Sequence, residues 1–297
     1  MEVVDAMAHD VVVIGGGNAA LCAALAAREG GASVLMLEKA PESERGGNSF
    51  FTAGGFRFAH QGLEDLRRDV IPDLSDEEAA TITIPAYTED QYYDDIMRVT
   101  EGRSDLDLAQ HLVQRSKPTV MWMRTQGIRW ILMFSRQSYK VGDRHHFWGG
   151  LTLEAVGGGP GLVEALFERA AKVGIEVRYG VAGHKLIQDS SGRVTGVVTR
   201  SAAGASEIPC RAVVIASGGF EATRSGAPAT SGRTGTWRGC AAPGTTWARA
   251  SRWRSRSARR PTATGRPATR WRGTSTPPPS ATGAWATCSR STRTRSG

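Results

Sequence analysis

The chain has 297 residues, of which 40% are hydrophobic, and it carries a formal net charge of +8. That length is enough for one sizeable domain and part of a second. No apolar run approaches the roughly 18 residues of a membrane span, and the short acidic start MEVVDAMAHD is unlike a secretory or transit peptide, so we expect a cytoplasmic protein without membrane insertion.

The first predicted elements are a strand, a helix and a second strand. Val11–Ile14 are four consecutive apolar residues, which is typical of a strand buried on both faces of a parallel sheet. Small residues and leucine predict a helix over Asn18–Glu29, which Gly30 and Gly31 end, and SVLMLE predicts the second strand. This βαβ unit indicates an α/β fold class with a Rossmann-like domain.

The turn between strand and helix has the pattern G-x-G-x-x-A, at Gly15, Gly17 and Ala20. One glycine makes the turn, the next lets the backbone approach a pyrophosphate, and the small third residue allows the helix to pack closely on the strand. The helix N-terminus offers N–H groups and a positive dipole end to the phosphates. Glu38 ends the second strand, where an acid can bond ribose hydroxyls. These features predict a dinucleotide site; the alternative is a glycine turn in an ordinary βαβ unit.

The segment RGGNSFFTAGGFRF, residues 45–58, follows the second strand and distinguishes FAD from NAD. It contains two glycine pairs, a serine and a threonine where an NAD domain would continue into a helix. Backbone N–H groups exposed by glycines suit an extended cofactor that needs contacts along a loop. The segment therefore favours FAD, although alone it would be only a flexible connection.

Residues 61–150 are less informative. Their pattern predicts an inserted, mainly helical segment, with a helix that ends at Gly127 and with Trp and Met side chains in the core. His145 and His146 lie in a Gly-flanked stretch that we interpret as a loop, with surface or packing roles; a substrate role is the alternative. Cys22 and Cys210 have no metal-ligand spacing, so we predict core positions and no metal site.

Several motifs in order carry a resemblance to one known family. VIGGGNAALCAALAAREGGASVLMLEKAP, RGGNS and TAGG resemble the FAD-binding domain of the fumarate reductase/succinate dehydrogenase flavoprotein superfamily. GGGPGLVEALFERAAKVGIEVRYG is similar to its glycine-led helix and strand, GHKLIQDSSGRVTGVVTR to its β-hairpin, and AVVIASGGFEA to its late strand end. GGGNAALCAALAARE and GGNS are most similar to the tricarballylate dehydrogenase branch. The resemblance covers residues 8 to about 222, roughly the first half of a full-length member.

The resemblance implies a role for individual residues and a domain plan. Residues 8–60 and 151–222 would form the FAD-binding domain, and residues 61–150 the insertion. The resemblance implies five kinds of contact with the cofactor: a pyrophosphate turn, a ribose acid, a segment running toward the flavin ring, an adenine contact and a strand end over the cofactor. In that order along the chain, the residues would be Gly15, Gly17, Asn18 and Ala19; Glu38 and Lys39; Gly46, Gly47, Asn48, Ser49, Thr52, Gly54 and Gly55; Ala182 or Gly183; and Ala216, Ser217 and Gly218.

The resemblance also implies a chemistry. Members of the superfamily move a hydride between flavin N5 and a CH–CH bond next to carboxylates, for example in converting tricarballylate to cis-aconitate. In succinate dehydrogenases a histidine after GG-x-S carries the flavin covalently; Phe50 and Phe51 stand here, which implies non-covalent FAD. A small carboxylate substrate and a membrane electron-transfer partner would follow. Fumarate reductase or 3-ketosteroid dehydrogenase activity is the alternative, and the catalytic residues stay unassigned.

The last part of the sequence, residues 223–297, has a different composition. From Arg224 onward it contains fifteen Arg and five Trp but no Lys, Asp, Glu, Leu, Ile or Val, so residues 1–223 carry −7 and the remainder +15. Its residue types are those of GC-rich codons, which predicts out-of-frame translation after about Ala222 and, as its consequence, disorder. The alternatives are a disordered linker and a nucleic-acid-binding arm of Arg and Trp; we predict no nucleic-acid binding. A chain that ends its native sequence there would be an inactive FAD-binding remnant.

Overall fold

The computed structural model describes residues 9–219, and the predicted out-of-frame tail lies outside this range. The strands are β1 His9–Ile14, β2 Val34–Glu38, β3 Gly55–Phe56, β4 Ile82–Thr83, β5 Trp130–Leu132, β6 Ser138–Val141, β7 Arg144–Phe147, β8 Leu153–Ala155, β9 Glu176–Tyr179, β10 Ala182–Gln188, β11 Val194–Ser201 and β12 Gly204–Ile215. The helices are α1 Asn18–Glu29, α2 Gly47–Phe50, α3 Leu63–Asp69, α4 Asp76–Ala80, α5 Glu89–Val99, α6 Leu106–Thr125, α7 Phe134–Gln137 and α8 Gly158–Lys172.

The central sheet of the described residues has the strand order β10-β11-β12-β1-β2-β9. β12, β1, β2 and β9 run parallel, with β1 in the middle, whereas β10 and β11 continue the sheet antiparallel from the first half of β12. Val12 and Val13 of β1 are completely buried, which confirms the predicted strand with two covered faces. The carboxyl ends of the parallel strands consequently meet along one edge of the sheet.

Helix α1 crosses from β1 to β2 as predicted, and Gly30 and Gly31 end it. Its buried residues are Ala20, Leu21, Ala24 and Leu25, a spacing that keeps one stripe on the sheet. Because two of these four side chains are alanine and none is branched at Cβ, the helix can lie close to the strands. Gly31 has φ +85°, the left-handed conformation that glycine adopts at a helix end.

Helix α8 packs beside α1 on the same face of the sheet. Leu162, Val163, Leu166, Phe167 and Ala170 form its buried stripe. β9 then pairs with β2, so the predicted helix and strand between residues 157 and 180 are confirmed. The predicted hairpin is present as well: Asp189 accepts hydrogen bonds from the backbone N–H of Ser191 and Arg193 and closes the turn between β10 and β11.

The segment between residues 61 and 150 contains α3 to α7, and it also contains strands. β5 joins β3 and β8 in one three-stranded sheet, and β4, β7 and β6 form another. Capping boxes begin two of the helices, with Ser75 and Glu78 on α4 and with Thr88 and Gln91 on α5. Met123 and Trp130 are buried, as predicted for this stretch, but Met121 is 37% exposed and Trp122 only half-buried, so the prediction of a core stripe is wrong at Met121.

The expectation of a loop at His145 and His146 is wrong. Both histidines lie in β7, which pairs with β6 through a turn at Gly142 and also pairs with β4. Gly142 has φ +58°, so this glycine forms the tight turn between β6 and β7 in the stretch that was predicted to be a loop. Within residues 9–219 no helix is long and apolar enough to cross a bilayer, and no group of three His, Cys, Asp or Glu side chains could hold a metal ion.

Candidate functional site

The glycine turn after β1 lies at the carboxyl edge of the sheet, between β2 and β12. Gly15 N–H donates to the carbonyl of Leu37 at 2.8 Å, and Ala216 N–H donates to the carbonyl of Ile14 at 2.9 Å. Gly15 has φ +122°, and a Cβ there would stand 2.8 Å from the carbonyl carbon of Ala216 and closer still to its oxygen. A side chain cannot occupy this position without separating the strand ends, so the predicted residues Gly15, Ala216 and Ser217 form one tight junction.

The N-terminus of α1 faces the segment that follows β2. Gly17 is the N-cap and has no side chain to fill the end of the helix. Asn18 N–H donates to Ser49 Oγ at 3.0 Å, and the Cβ position of Gly17 lies 3.4 Å from Ser49 Oγ and 3.5 Å from the carbonyl oxygen of Gly46. The structure thus brings Gly17, Asn18, Gly46 and Ser49 together at the positive end of a helix dipole, which favours a phosphate. Ala19 is exposed beside them.

Glu38 is buried at the end of β2, only 9% exposed. Ala40 N–H donates to its Oε1 at 2.7 Å. Burial raises the pKa of the Glu38 carboxyl, while hydrogen bonds from the backbone of Ala40, Lys39 and Gly16 act in the opposite direction. A Cβ on Gly16 would lie 2.5 Å from Glu38 Oε2, so this glycine makes room for the carboxylate. Sequence reasoning did not single out Gly16, although it is the x of the glycine pattern.

The loop after Ser49 leads away from α1 toward the start of α8. Thr52 Oγ1 donates to the carbonyl of Ser49 at 2.9 Å and accepts from Gly54 N–H at 3.1 Å. Gly47 has φ +53° and Gly54 φ +71°. A Cβ on Gly54 would be 2.7 Å from the carbonyl carbon of Gly158, so these backbones are in direct contact. Gly55 in β3 pairs with Glu154 in β8. Asn48 is exposed.

The remaining predicted residues flank the same edge. Val181 N–H donates to the carbonyl of Glu38 at 3.0 Å, which places Ala182 at the end of β2. A Cβ on Gly183 would be 2.8 Å from Ile14 Cδ1, so this residue packs on the end of β1. Gly218 has φ +76°, just after β12, and Lys39 is exposed. Predicted residues from five separate stretches of sequence, within residues 15–19, 38–39, 46–55, 182–183 and 216–218, thus contribute to one region.

The first residues of α8 also belong to the site. From the sequence they were identified only as a motif of the family, and no site residue was predicted there. Gly159 N–H donates to the carbonyl of Thr52 at 3.0 Å. A Cβ on Gly159 would stand 2.6 Å from Thr52 O and nearer still to Ser49 O. The run GGGPG before an amphipathic helix was the available signal, because such a run permits a close approach of two backbones.

Two phenylalanines follow Ser49, at the place where the resemblance to succinate dehydrogenases would put the histidine that bonds covalently to the flavin. Phe50 and Phe51 are exposed, and their rings meet edge to face at 5.4 Å. The two histidines of β7 pack on aromatic rings, His145 against Phe134 at 5.1 Å and His146 against Tyr139 at 5.5 Å. These contacts agree with a packing role for the pair, as interpreted from the sequence.

A model of the FAD binding domain family matches residues 10–254, a range that continues beyond the described residues. The fumarate reductase (cytochrome) of Shewanella frigidimarina is 29% identical over 213 residues, which is 71% of this chain and 33% of the relative. The vinyl phenol reductase of Lactiplantibacillus plantarum is 30% identical over 216 residues, 72% of this chain and 38% of that protein. This chain therefore spans about a third of the length of the curated relatives it matches.

The fold is also that of a solved steroid dehydrogenase. The 3-ketosteroid delta1-dehydrogenase of Sterolibacterium denitrificans superposes with a TM-score of 0.66 over 85% of this chain and 55% of that protein, at 16% identity. The described site fits the cofactor of this family: a glycine turn without Cβ atoms, an open helix N-terminus and a buried acid lie at one sheet edge. The chain belongs to the FAD binding domain family, within the fumarate reductase/succinate dehydrogenase flavoprotein superfamily, and its cofactor is FAD.

Proposed function

We propose that this chain binds FAD non-covalently and contributes to an oxidoreductase that acts on a CH–CH bond of a carboxylate substrate, of the type that converts tricarballylate to cis-aconitate. The observation that carries the proposal is the convergence of Gly15, Gly17, Glu38, Ser49 and Ala216 at the carboxyl ends of β1, β2 and β12. Ligands of open α/β sheets bind at this edge.

The described residues have distinct tasks in this proposal. The N–H groups at the start of α1 and the Ser49 hydroxyl hold the pyrophosphate. Asn18 N–H donates to Ser49 Oγ, so this hydroxyl lies at the positive end of the α1 dipole. Glu38 holds the ribose hydroxyls from a position already fixed by Ala40 N–H. Thr52, Gly54 and Gly55 lead to the ring system. Bound FAD supplies the two-electron acceptor, which the protein orients and shields from water.

Non-covalent binding follows from the two residues after Ser49. Phe50 and Phe51 carry no nucleophile and pack against each other. We therefore expect acid precipitation of the flavin-loaded protein to leave the flavin in the supernatant. Flavin fluorescence in the protein pellet after gel electrophoresis would contradict this part of the proposal.

The substrate class is proposed from the family and from the resemblance to its tricarballylate branch. A reductase of fumarate and a reductase of a vinyl phenol are among the relatives, and both names describe addition of hydrogen to a carbon–carbon double bond. The proposal includes an electron-transfer partner, at a membrane or a cytochrome, that exchanges electrons with the flavin. A cytoplasmic location stays a prediction. A 3-ketosteroid dehydrogenase activity is the alternative, which the shared fold favours.

The test uses residues 1–297 purified with FAD. Bound flavin is measured by absorbance, and turnover is assayed with tricarballylate, fumarate and a 3-ketosteroid and artificial electron carriers. We expect the wild-type chain to bind FAD. Gly17→Val should abolish this binding, because valine fills the approach to the α1 N-terminus, whereas the control Gly30→Val should leave it intact. Binding that Gly17→Val does not change would contradict the proposed site.

A second candidate is an FAD-binding remnant without turnover. The composition after Arg224 favours it, because a segment without aliphatic residues larger than alanine has little apolar surface with which to build a substrate site. FAD binding without turnover on any of the three substrates would select this candidate, and robust turnover would eliminate it. Sequencing the locus tests the predicted change of frame near Ala222.

A further inference from the structure

The side chain of Arg45 joins the start of the loop formed by residues 46–54 to two other elements, α8 and β9. Its Nη2 donates to both carboxylate oxygens of Glu164, at 3.1 and 2.9 Å. Its Nη1 donates to the hydroxyl of Tyr179 and to Glu42 Oε1, each at 3.1 Å. The guanidinium carbon lies 4.4 Å from the centre of the Phe167 ring. One side chain thus contacts α8, β9 and the turn before the loop.

These contacts are located at the cofactor edge of the sheet. Glu164 and Phe167 are three residues apart on α8 and therefore share one face of the helix. Tyr179 ends β9, in register with Glu38 at the end of β2. The next loop residue, Gly46, fits against the same helix, because a Cβ there would be 2.8 Å from Val163 Cγ1. The first residues of the loop are therefore fastened to α8.

The far end of the loop is fastened to α8 as well, through Gly54 and Gly159. Between the two attachments lies Ser49, whose Oγ accepts from Asn18 N–H at the start of α1. No hydrogen bond or ion pair joins Ser49 to Arg45, and the two are linked through the backbone of the three residues between them, 46–48. The position of Ser49 relative to the α1 N-terminus consequently depends on where the loop begins.

We propose that Arg45 is a positioning residue for FAD: it fixes the loop of residues 46–54 on α8, so that Ser49 and the loop backbone are ordered before the cofactor binds. The inference rests on the proposed function as far as FAD is concerned. Sequence reasoning missed this residue because arginine beside a glycine pair has no signature, and because three of its four partners are distant in sequence.

The chemistry of the site requires arginine rather than a generic cation. Two terminal nitrogens serve different acceptors while the planar face lies on Phe167, which a lysine ammonium cannot reproduce. An exposed ion pair by itself contributes little to stability. The Arg45 side chain is 21% exposed, however, and its ring and hydroxyl contacts restrict it further.

The test compares Arg45→Met with the matched control Arg103→Met, which removes an ion pair of 3.0 Å between side chains that are 76% and 77% exposed. Amide hydrogen exchange of residues 46–54 is measured in the apoprotein, and the FAD dissociation constant is measured by titration. We expect Arg45→Met to speed exchange in this loop and to raise the dissociation constant about tenfold, while Arg103→Met changes neither. Arg45→Lys should give a smaller change in the same direction.

A double-mutant cycle with Glu164→Gln separates positioning from general stability. We expect the losses of FAD affinity from Arg45→Met and Glu164→Gln to be non-additive, because both remove the same attachment. Unchanged loop exchange, or faster exchange with unchanged FAD affinity, would overturn the proposal. If Arg45→Met does not fold, Arg45→Lys and Glu164→Gln give the same comparison. If the wild-type chain binds no FAD, the proposed function fails, and loop exchange still decides whether Arg45 orders the loop.

Discussion

Replacing Gly15 by alanine tests the junction of β1, β2 and β12 most sharply. The residue has φ +122°, and its added Cβ would lie 2.8 Å from the Ala216 carbonyl carbon and 3.2 Å from Ser217 Cα. A left-handed conformation costs a residue with Cβ about 1–2 kcal/mol, and forcing an atom into a packed contact costs about 1–3 kcal/mol. The sum, about 2–5 kcal/mol, is a large part of the stability of a typical domain.

The assay is thermal unfolding of the apoprotein, followed by FAD titration at a temperature where both variants are folded. For a domain of this size the loss corresponds to a fall in Tm of about 4–20 °C. Gly31→Ala is the matched control, since Gly31 also has a positive φ, +85°, but its Cβ would meet nothing within 4 Å. We expect about 1–2 kcal/mol for this control, which is the cost of the positive φ alone. Equal Tm values for the two variants, with wild-type FAD affinity in both, would show that the close contact at Gly15 does not stabilise the junction of β1, β2 and β12.

Three other predictions follow from the same edge. Ser49→Ala should weaken FAD binding by about threefold to tenfold in titration and leave Tm almost unchanged, because it removes one hydrogen bond near the phosphates. Gly159→Ala should lower Tm and FAD affinity together, since its Cβ would enter the backbone at Thr52. Glu38→Gln should weaken FAD binding and reduce the pH dependence of unfolding, so that the wild-type apoprotein loses stability relative to the variant as the pH rises from 4 toward 7. The sign follows from the raised folded-state pKa of Glu38, because the folded state binds its proton more tightly and loses stability as the pH rises. Stronger FAD binding by any of the three variants would contradict the site.

Local sequence patterns were sufficient for the elements that carry the cofactor. Four apolar residues, a glycine turn and a helix of small residues predicted β1 and α1, because in a βαβ unit local propensity and burial point to the same structure. The candidate residues around Ser49 were predicted from their resemblance to a family motif. Their placement against Asn18 depends on contacts across 31 residues, which no local pattern specifies.

The sequence was less informative where pairing is non-local. The stretch that forms β7 was interpreted as a loop because its adjacent histidines are flanked by glycines, whereas pairing with both β4 and β6 stabilises it as a strand. Gly16, Gly159 and Arg45 escaped notice for a related reason. Their importance comes from what lies opposite them, namely Glu38, Thr52 and the α8 face, and these partners are known only once the chain is folded.

The proposed FAD site is tested most directly by a calorimetric titration of the apoprotein, residues 1–297, with FAD and with FMN. FMN lacks the adenosine half that Glu38 and the residues around Ala182 are proposed to hold. We predict saturable binding of one FAD per chain and much weaker binding of FMN. Equal affinity for the two flavins, or no saturable binding of FAD, would contradict the proposed site.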